Sequence, residues 1–343
     1  MKALVARGGL LGVEEVASPT PGPGQVLIKP LATGVCGSDV HLLHTQASMA
    51  DVFPPIVLGH EFVGEIVEYG AETERRLKPG TLVTTVPYLD HASGPQHIGV
   101  SPLAPGALAE RMLAQESRLV AVPAGLPVNH AALAEPLAVG THAVRIAHMQ
   151  PGDVPLVVGC GPVGLAVIAA LRAAGHRPIV ATDFSEPRRK LAEALGADNV
   201  VNPAAASPYV TWAALAGSEL PNSCLLVEDP EPTTVVFECV GLPGVLDTIV
   251  NSVPGHTRVV VVGACQQPDE FTPAIAIMKE LTLTFSYGYR PHEFEQSLQA
   301  VADGCFDAER LITATRSLDQ ASSAFEELSG PSQHCKIVIN PNS

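Results

Sequence analysis

The feature that most constrains the fold is a glycine-rich segment near the middle of the chain. An apolar run with the length of a buried strand ends at Gly159, and a helical pattern begins around Gly164. Gly161 lies between them, so the segment has the pattern GxGxxG. In such a turn the first glycine allows the bend, the second lets the backbone approach a pyrophosphate, and the third lets helix and strand pack closely. The segment therefore predicts a dinucleotide site at the helix N-terminus, beside Pro162 and Val163.

An acidic residue, Asp183, ends the next predicted strand, about 20 residues after the glycine motif. A carboxylate at this spacing accepts hydrogen bonds from the 2′-hydroxyl of the adenosine ribose and repels a 2′-phosphate. We therefore predict NAD rather than NADP as the cofactor, with Arg188 as a nearby cation that softens the preference. The alternative interpretation is a glycine turn in an ordinary βα unit, with Asp183 as a loop cap.

From Pro151 onwards, strand patterns rich in Val and Ile alternate with helical patterns. This alternation indicates a doubly wound parallel sheet with both faces covered, which is an α/β fold. The predicted strands are Pro155–Gly159, Pro178–Thr182, a strand at Val200, Thr234–Cys239, Arg258–Gly263 and Leu281–Ser286. The predicted helices are Gly164–Ala174, Glu186–Leu195 with Ser185 as its N-cap, and a short one around Thr211–Ala216.

Residues 1–150 have a different pattern, in which Gly and Pro divide short apolar runs. Several short strands at this spacing indicate a β-rich barrel or sandwich domain. Its predicted strands are Val26–Lys29, Ile56–Leu58, Phe62–Glu68, Thr81–Val86 and Leu119–Val122. Beyond Pro291 we predict the helices Glu293–Asp303 and Leu318–Leu328 and a last strand, Cys335–Ile339.

Length, charge and cysteine spacing narrow the class of protein. A single hydrophobic core rarely grows to 343 residues, so two domains are expected. The net charge is −15 and no basic stripe is present, which argues against nucleic-acid binding. The apolar runs do not reach transmembrane length, and the N-terminus has no secretory pattern. Seven cysteines without a CxxC pair favour a reducing compartment, so we expect a cytoplasmic protein without disulfides.

Three short segments of the first half carry residues that can bind zinc. They are Gly34-Val-Cys-Gly-Ser-Asp-Val-His, Leu58-Gly-His-Glu-Phe-Val-Gly-Glu and Leu133-Ala-Glu-Pro-Leu-Ala-Val-Gly. Three protein ligands with one open position is the arrangement of a catalytic zinc ion. Taken alone, Cys36 is more often a small buried apolar residue, and Glu135 before a proline is more often a helix-end carboxylate.

Together with the glycine motif, these segments resemble the medium-chain dehydrogenase/reductase superfamily, and within it the zinc-dependent alcohol and polyol dehydrogenases. The resemblance covers nearly the whole chain. It implies a GroES-like catalytic domain over residues 1–150, completed by residues 290–343, and a Rossmann domain over residues 151–289. It also implies an active site in the cleft between the two domains.

The resemblance also implies roles for single residues. It assigns zinc binding to Cys36, His60 and Glu135, with Glu61 beside the ion and able to enter its coordination shell. It implies that Asp39 orients the histidine ligand, and that Ser38 and His41 relay the proton of the substrate to solvent. It places the strand ends at Cys239, Val240, Val262 and Gly263 beside the nicotinamide and its ribose.

The implied reaction passes a hydride between NAD and an alcohol, giving a ketone or an aldehyde. Apolar side chains near the ligands fit a secondary, an aromatic or a polyol substrate: Leu42, Phe53, Ile56 and Leu137. The alternatives are a zinc-free quinone or enone reductase of the same superfamily and a nicotinamide-binding protein without turnover. The family usually assembles as dimers or tetramers through sheet edges, and Leu281–Ser286 is the candidate edge.

The chain departs from the family pattern in one lobe. Many zinc-dependent members hold a structural zinc ion there with four cysteines, whereas residues 87–106 contain none. We therefore predict one catalytic zinc ion per chain and no structural zinc. His91 and His97 lie in this lobe; they are within reach of a metal or of the active site, but loop positions are the preferred interpretation.

Overall fold

A computed structural model describes residues 1–48, 53–217, 234–329 and 334–343. The chain divides into two units. The first contains Met1–Glu135, Phe294–Gly304 and Ile312–Ser343, and the second contains Pro136–Glu293 and Cys305–Leu311. These units divide after Glu135 and Glu293, and the short segment Cys305–Leu311 belongs to the second unit. The domain boundaries expected after residues 150 and 289 stay predictions.

Strands occur in both units. In chain order they are β1 (Lys2–Arg7), β2 (Leu10–Glu15), β3 (Gln25–Gly34), β4 (Ile56–Val57), β5 (Glu61–Tyr69), β6 (Leu82–Thr85), β7 (Tyr88–Leu89), β8 (Gln96–His97), β9 (Met112–Gln115), β10 (Leu119–Ala121), β11 (Val154–Val158), β12 (Val180–Thr182), β13 (Asn199–Val201), β14 (Thr234–Glu238), β15 (Arg258–Val261), β16 (Thr282–Phe285), β17 (Ile312–Ser317) and β18 (Lys336–Asn340).

Helices alternate with the strands mainly in the second unit. In chain order they are α1 (Gly37–Ser48), α2 (Val128–Ala131), α3 (Ala134–Ile146), α4 (Pro162–Ala173), α5 (Glu186–Ala194), α6 (Pro208–Leu215), α7 (Val245–Ser252), α8 (Pro273–Met278), α9 (Pro291–Ala302), α10 (Ala308–Leu311) and α11 (Ala321–Ser329), with short 3₁₀ helices at Glu116–Arg118 and Leu318–Gln320. No helix of the described ranges is both long and apolar enough to cross a membrane.

The second unit contains a six-stranded parallel sheet, which confirms the predicted α/β fold. Its strand order is β13-β12-β11-β14-β15-β16. Counted from β11, this is the order 3-2-1-4-5-6 of the doubly wound dinucleotide-binding sheet. The strand order reverses between β11 and β14, although these two strands are parallel. Apolar side chains of the sheet, such as Leu156 and Val236, pack around the buried Trp212. The indole Nε1 of Trp212 donates to the carbonyl of Val154 at 2.7 Å, so this large side chain is buried without losing its hydrogen bond.

The first unit is β-rich, as predicted. Its larger sheet has the order β10-β6-β5-β3-β18-β17, with β9 also paired to β3. The long strand β3 is antiparallel to both β5 and β18. The predicted strands of this region are all present, most with small shifts of their ends, although β3 continues five residues beyond the predicted Lys29. The last strand, β18, lies between β3 and β17.

Several elements were not predicted, whereas the N-cap position of α5 was predicted correctly. The unpredicted strands include β1, β2 and β17, and the unpredicted helices include α1 and α3. Strand β17 (sequence ITATRS) is half-buried and polar at alternate positions, which gives a weak signal. Ser185 does occupy the N-cap of α5, but its side chain makes no capping hydrogen bond. Cys224 lies outside the described residues.

Candidate metal and cofactor sites

Strand register brings distant segments together at one end of the larger sheet of the first unit. Gly34 at the end of β3 is paired with Glu61 at the start of β5 and with Val338 in β18. The residue that follows β3 by two positions, Cys36, therefore lies near the starts of β5 and β18. Lys336 begins β18 and belongs to the same end of the sheet.

Three side chains at this end form a group that could hold a metal ion. The Cys36 sulfur, a ring nitrogen of His60 and a carboxylate oxygen of Glu61 all lie within 4.8 Å of one another. His60 and Glu61 are buried and Cys36 is partly exposed. Within the described parts of the chain, this is the group of three such side chains whose ligand atoms lie close enough together to hold one metal ion. A thiolate, an imidazole and a carboxylate are the donor types that zinc prefers.

Asp39 connects two members of the group. Its Oδ2 accepts a hydrogen bond from the backbone N–H of Cys36 at 3.0 Å, and its Oδ1 lies 3.3 Å from Nδ1 of His60. Because Nδ1 faces the carboxylate, Nε2 is the nitrogen of His60 that is available to a metal. The hydroxyl of Ser38 lies 3.4 Å from that Nε2.

The electrostatics of the pocket favour a cation at His60. Burial by itself lowers the pKa of His60, but the Asp39 carboxylate and the Cys36 thiol outweigh it and raise the pKa well above the ordinary value. The site thus stabilises positive charge on this imidazole, and a zinc ion at Nε2 would supply that charge in place of a proton. This fit supports a metal site at Cys36 and His60.

A buried ion pair lies beside the group. Lys336 Nζ donates to both carboxylate oxygens of Glu61, each at 2.7 Å, and to the carbonyl of Val35 at 3.1 Å. Burial lowers the pKa of Lys336, but the Glu61 carboxylate outweighs it and raises the pKa above its ordinary value. Both partners are almost fully buried, so each neutralises a charge that would otherwise be costly in the interior.

Gly34 makes room for the Glu61 carboxylate. A Cβ atom at Gly34 would lie 2.1 Å from Oε2 of Glu61, a distance that real Cβ atoms do not show. Any other residue at this position would push the carboxylate away from Lys336. The glycine is therefore required by close approach, not by backbone conformation, since its φ is not positive.

The other predicted residues of this site lie on the helices α1 and α3. Ser38 and His41 are both exposed on α1 and lie one turn apart. Glu135 is in the first turn of α3 and is half-buried. It is not a member of the group formed by Cys36, His60 and Glu61.

The glycine motif has the geometry that the sequence predicted. Gly159 has φ of +92°, a conformation that favours glycine, and Gly161 is the N-cap of α4. A Cβ atom at Gly164 would lie 1.9 Å from the carbonyl oxygen of Gly159, so helix and strand could not pack as they do. A Cβ atom at Gly161 would meet nothing within 4 Å, which leaves open space over the loop.

Asp183 joins the glycine loop to the end of β12. Its Oδ2 accepts from the backbone N–H of Cys160 at 2.8 Å, and its Oδ1 accepts from the backbone N–H of Ser185 at 2.7 Å. Arg189 donates to the carbonyl of Asp183, whereas Nε of Arg188 is buried and has no hydrogen-bond partner among the described residues. The carboxylate therefore organises the loop.

Glu238 was not predicted as a site residue, although it organises segments that were. Its Oε1 accepts from the backbone N–H groups of Val240 and Gly241, at 2.7 and 2.8 Å. Its carbonyl accepts from Val262 and Gly263, at 2.8 and 2.9 Å. Burial raises the pKa of this carboxyl group. A charged residue within the apolar run Val235–Val240 was the available signal.

The predicted pocket residues and lobe histidines are placed differently from one another. Leu42, Phe53 and Ile56 pack into one hydrophobic core of the first unit, and Leu137 is fully buried, so the prediction that they form a substrate pocket is not supported. His91 is exposed and contacts Ser93 at 2.8 Å, as expected of a loop histidine. The ring of His97, in contrast, lies 5.3 Å from the ring of His60.

Two family models match the chain. The alcohol dehydrogenase GroES-like domain matches residues 22–124, and the zinc-binding dehydrogenase domain matches residues 162–303. The (R,R)-butanediol dehydrogenase of Bacillus subtilis (strain 168) is 32% identical over 352 aligned residues, which cover 96% of each chain.

Solved structures agree with these matches. The crystal structure of 2R,3R-butanediol dehydrogenase from Bacillus subtilis superposes with a TM-score of 0.84 at 30% identity, over 99% of each chain. A zinc-binding dehydrogenase from Sinorhizobium meliloti 1021, solved bound to NADP, gives a TM-score of 0.82 at 27% identity, again over 99% of each chain.

The fold and the clustered donors define the class as an oxidoreductase that uses zinc and a nicotinamide nucleotide. The chain belongs to the zinc-dependent medium-chain dehydrogenase/reductase superfamily. It is an enzyme that acts on CH–OH donors, and its substrates are small alcohols and the corresponding carbonyl compounds.

Proposed function

We propose that this enzyme interconverts a small secondary alcohol, of the diol or polyol type, and its ketone, with NAD and one zinc ion held by Cys36 and His60. The observation that carries the proposal is the convergence of Cys36 with the consecutive residues His60 and Glu61 within 4.8 Å, although Cys36 comes from a separate segment. Asp39 contacts both of the first two residues, so the ligands are oriented from behind.

Two residues are candidates for the third protein ligand of the zinc ion, Glu61 and Glu135. Glu61 is close enough to join the group, but both of its oxygens accept hydrogen bonds from Lys336. We therefore propose that Glu135 is the third ligand and that Glu61 stays beside the ion. Zinc retention in Glu135→Gln and Glu61→Gln tests this choice: the first variant should release zinc more readily, and the reverse order would contradict the assignment.

Bound zinc supplies a Lewis acid that lowers the pKa of the substrate hydroxyl, and bound NAD accepts the hydride. The residues of the chain then handle the proton. Ser38, whose hydroxyl lies 3.4 Å from the metal-facing nitrogen of His60, would receive the hydroxyl proton. His41, exposed one turn later on α1, would pass it to solvent. Neither residue would need to be a strong base, since each would only pass a proton to its neighbour.

For the cofactor we propose NAD in preference to NADP. The loop Gly159–Gly164 and the start of α4 would bind the pyrophosphate, and Asp183 would bind the ribose. The carboxylate of Asp183 is fixed by two backbone N–H groups, so it cannot easily turn away from a 2′-phosphate. Arg188 and the segments at Cys239–Val240 and Val262–Gly263 complete the proposed site. The relative bound to NADP makes a direct comparison of the two cofactors necessary.

We also propose a single zinc ion per chain. The lobe at residues 87–106 contains no cysteine, and a structural zinc ion is usually held by cysteine and histidine ligands. Metal analysis of the purified enzyme tests this: about one zinc ion per chain is expected, and two would contradict it.

The experiment that tests the function is an alcohol and ketone panel with NAD(H) and NADP(H), run on protein of known zinc content. The panel begins with 2,3-butanediol, because the enzyme of that name is 32% identical to this chain. We expect zinc-dependent reduction of NAD by at least one small secondary alcohol. Full activity after removal of zinc by a chelator would refute the metal half of the proposal, and equal affinity for NADP would refute the cofactor preference.

We further propose that two or four copies assemble through β16. This strand is at one end of the sheet and pairs with β15 on one side, with no second partner in the described part of the chain. Large apolar side chains are exposed beside it: Ile277, Met278, Phe285 and Tyr287. An open edge with exposed apolar groups is typical of an interface. Light scattering should give a dimer or a tetramer that Phe285→Lys disrupts, and a monomeric wild-type protein would contradict the proposal.

A further inference from the structure

The lobe at residues 87–106, which contains no cysteine, is built around a short hairpin. Its strands β7 and β8 form a hairpin in which Tyr88 is paired with His97. The hairpin is held by side-chain hydrogen bonds: Gln96 donates to the carbonyl of Gly94 at 3.0 Å and accepts from the hydroxyl of Ser101 at 2.8 Å. Polar contacts thus give this lobe a defined shape, which fixes the position of the residue at its end, His97.

His97 lies between two rings. The ring of Tyr88 is 4.9 Å away with an interplanar angle of 72°, and the ring of His60 is 5.3 Å away with an angle of 75°. Both are edge-to-face contacts, the geometry that aromatic rings prefer. The hairpin therefore packs an aromatic ring against the ring of a proposed metal ligand, a contact additional to that of Asp39.

A hydrogen bond also fixes the orientation of the His97 ring. Its Nδ1 lies 2.9 Å from the carbonyl oxygen of Ile98; a carbonyl oxygen can only accept, so Nδ1 donates this hydrogen bond. The ring is therefore tied to the backbone of the lobe.

We propose that His97 is a positioning residue of the metal site, which fixes the plane of the His60 imidazole. The carboxylate of Asp39 sets the direction of Nδ1, but one such contact leaves the ring free to turn about that direction. An aromatic ring packed edge-to-face against it removes this rotation, so that Nε2 keeps its aim at the ion. The inference rests on the proposed zinc site at Cys36 and His60.

The test compares zinc binding in His97→Leu, His97→Phe and the wild-type enzyme, measured by competition with a chelator. Leucine fills the volume but offers no flat ring, and we expect it to weaken zinc binding about tenfold, as for other residues that orient metal ligands. Phenylalanine keeps the ring and should restore most of the affinity. The visible spectrum of the cobalt-substituted protein should change in the leucine variant and remain close to wild type in the phenylalanine variant.

Control variants distinguish positioning of His60 from direct metal binding by His97 and from stabilisation of the lobe alone. His91→Ala changes an exposed histidine of the same lobe and should leave zinc affinity and spectrum unchanged. Equal weakening in His97→Leu and His97→Phe would mean that His97 binds the ion itself, and unchanged zinc affinity and spectrum in a folded His97→Leu would mean that it only stabilises the lobe; either result overturns the proposal.

A further variant covers the case in which His97→Leu fails to fold. Tyr88→Leu removes the ring behind His97 and should weaken zinc binding in the same direction. An unchanged affinity there also overturns the proposal. Wild-type protein that binds no zinc would instead sink the proposed function.

Discussion

The metal site and the glycine loop are assembled in opposite ways. The glycine loop and Asp183 come from one short stretch, residues 159–183, and the contacts within it involve mainly backbone N–H groups. The metal site takes Cys36, His60 and Lys336 from segments separated by up to 300 residues, and its contacts are between buried charged side chains. One site depends on local chain geometry, and the other depends on strand register across the whole first unit.

This difference explains which interactions are costly to lose. A loop made of backbone donors keeps its hydrogen bonds as long as the chain can follow the same path. A cluster of buried charges must keep every partner, because a single unpaired charge in the interior is strongly unfavourable. We therefore expect substitutions at the metal site to affect stability and catalysis together, and substitutions at the glycine loop to affect cofactor binding alone.

The largest effect is expected from Cys36→Ser, which should separate the two sites. Loss of the thiolate removes a zinc ligand. We expect this loss to cost about 4 kcal/mol of transition-state stabilisation, which lowers the rate roughly a thousandfold. Zinc content and turnover should fall together, while NAD affinity, measured by fluorescence titration, stays near the wild-type value. The matched control is Cys305→Ser, an exposed thiol. A variant that keeps its zinc and its activity would contradict the proposed ligand.

Lys336→Met should have the next largest effect, and it tests whether the metal site depends on partners that are distant in the sequence. The variant leaves the Glu61 carboxylate buried without its cation, which costs about 3–5 kcal/mol in stability. Urea unfolding of the zinc-free protein measures this loss. The double variant Lys336→Met with Glu61→Gln should recover part of it. As a control, Lys2→Met breaks an exposed pair with Asp319 and should cost less than about 1 kcal/mol. Equal losses of stability in Lys336→Met and Lys2→Met would show that the buried ion pair contributes no more than the exposed one.

Gly161→Ala should change the cofactor site alone. A Cβ atom at this position meets nothing within 4 Å and the backbone is extended, so the fold should tolerate it. It would lie where the pyrophosphate approaches the loop, and we expect the Kd for NAD to rise about tenfold, or 1.4 kcal/mol. Zinc content should not change. Gly12→Ala, also in open space, is the control. Unchanged NAD binding in the Gly161 variant would place the pyrophosphate elsewhere.

The smallest effect is expected from Glu293→Gln, which belongs to neither site. Burial raises the pKa of Glu293, but hydrogen bonds from Arg290 N–H, Arg145 and His142 outweigh it, so the pKa lies below its ordinary value of 4.5. Its ionised form therefore stabilises the fold above about pH 4.5, and this contribution is lost as the pH falls.

Glu293→Gln should cost about 1 kcal/mol at pH 7, and the difference from wild type should shrink as the pH falls below 4.5. Denaturant unfolding at several pH values measures it, with Glu295→Gln, an exposed residue of the same helix, as the control. A difference that grows towards low pH would contradict the assigned direction of the pKa shift.

The difference between the locally formed glycine loop and the metal site assembled from distant segments also explains which residues the sequence could predict. The glycine motif was predicted with its structural role and Asp183 with its position at the end of a strand, because their spacing along the chain is itself the structural constraint. That Asp183 binds a ribose stays a prediction. Cys36 and His60 were identified through resemblance, since no local pattern tells which strand ends will meet. Lys336, Gly34 and Glu238 were missed: each acts through a partner that only strand register or loop closure brings near.

Two expectations rested on position in the sequence. Leu42, Phe53 and Ile56 were expected near the substrate because they are close to the ligands in sequence; they pack in or against a hydrophobic core, and their contact with the substrate stays a prediction. His97 was expected in a loop, yet the pairing of β7 with β8 directs its ring towards His60. The predicted cytoplasmic location, in turn, stays a prediction.

The most direct test of the account is X-ray absorption at the zinc edge of the purified wild-type enzyme. A site made by Cys36 and His60 with a carboxylate predicts one sulfur neighbour at about 2.3 Å and nitrogen or oxygen neighbours at about 2.0–2.2 Å. The sulfur signal should disappear, with the zinc, in Cys36→Ser. A bound zinc ion with no sulfur neighbour, or with several, would contradict the central claim that this one thiolate and the His60 imidazole hold the catalytic ion.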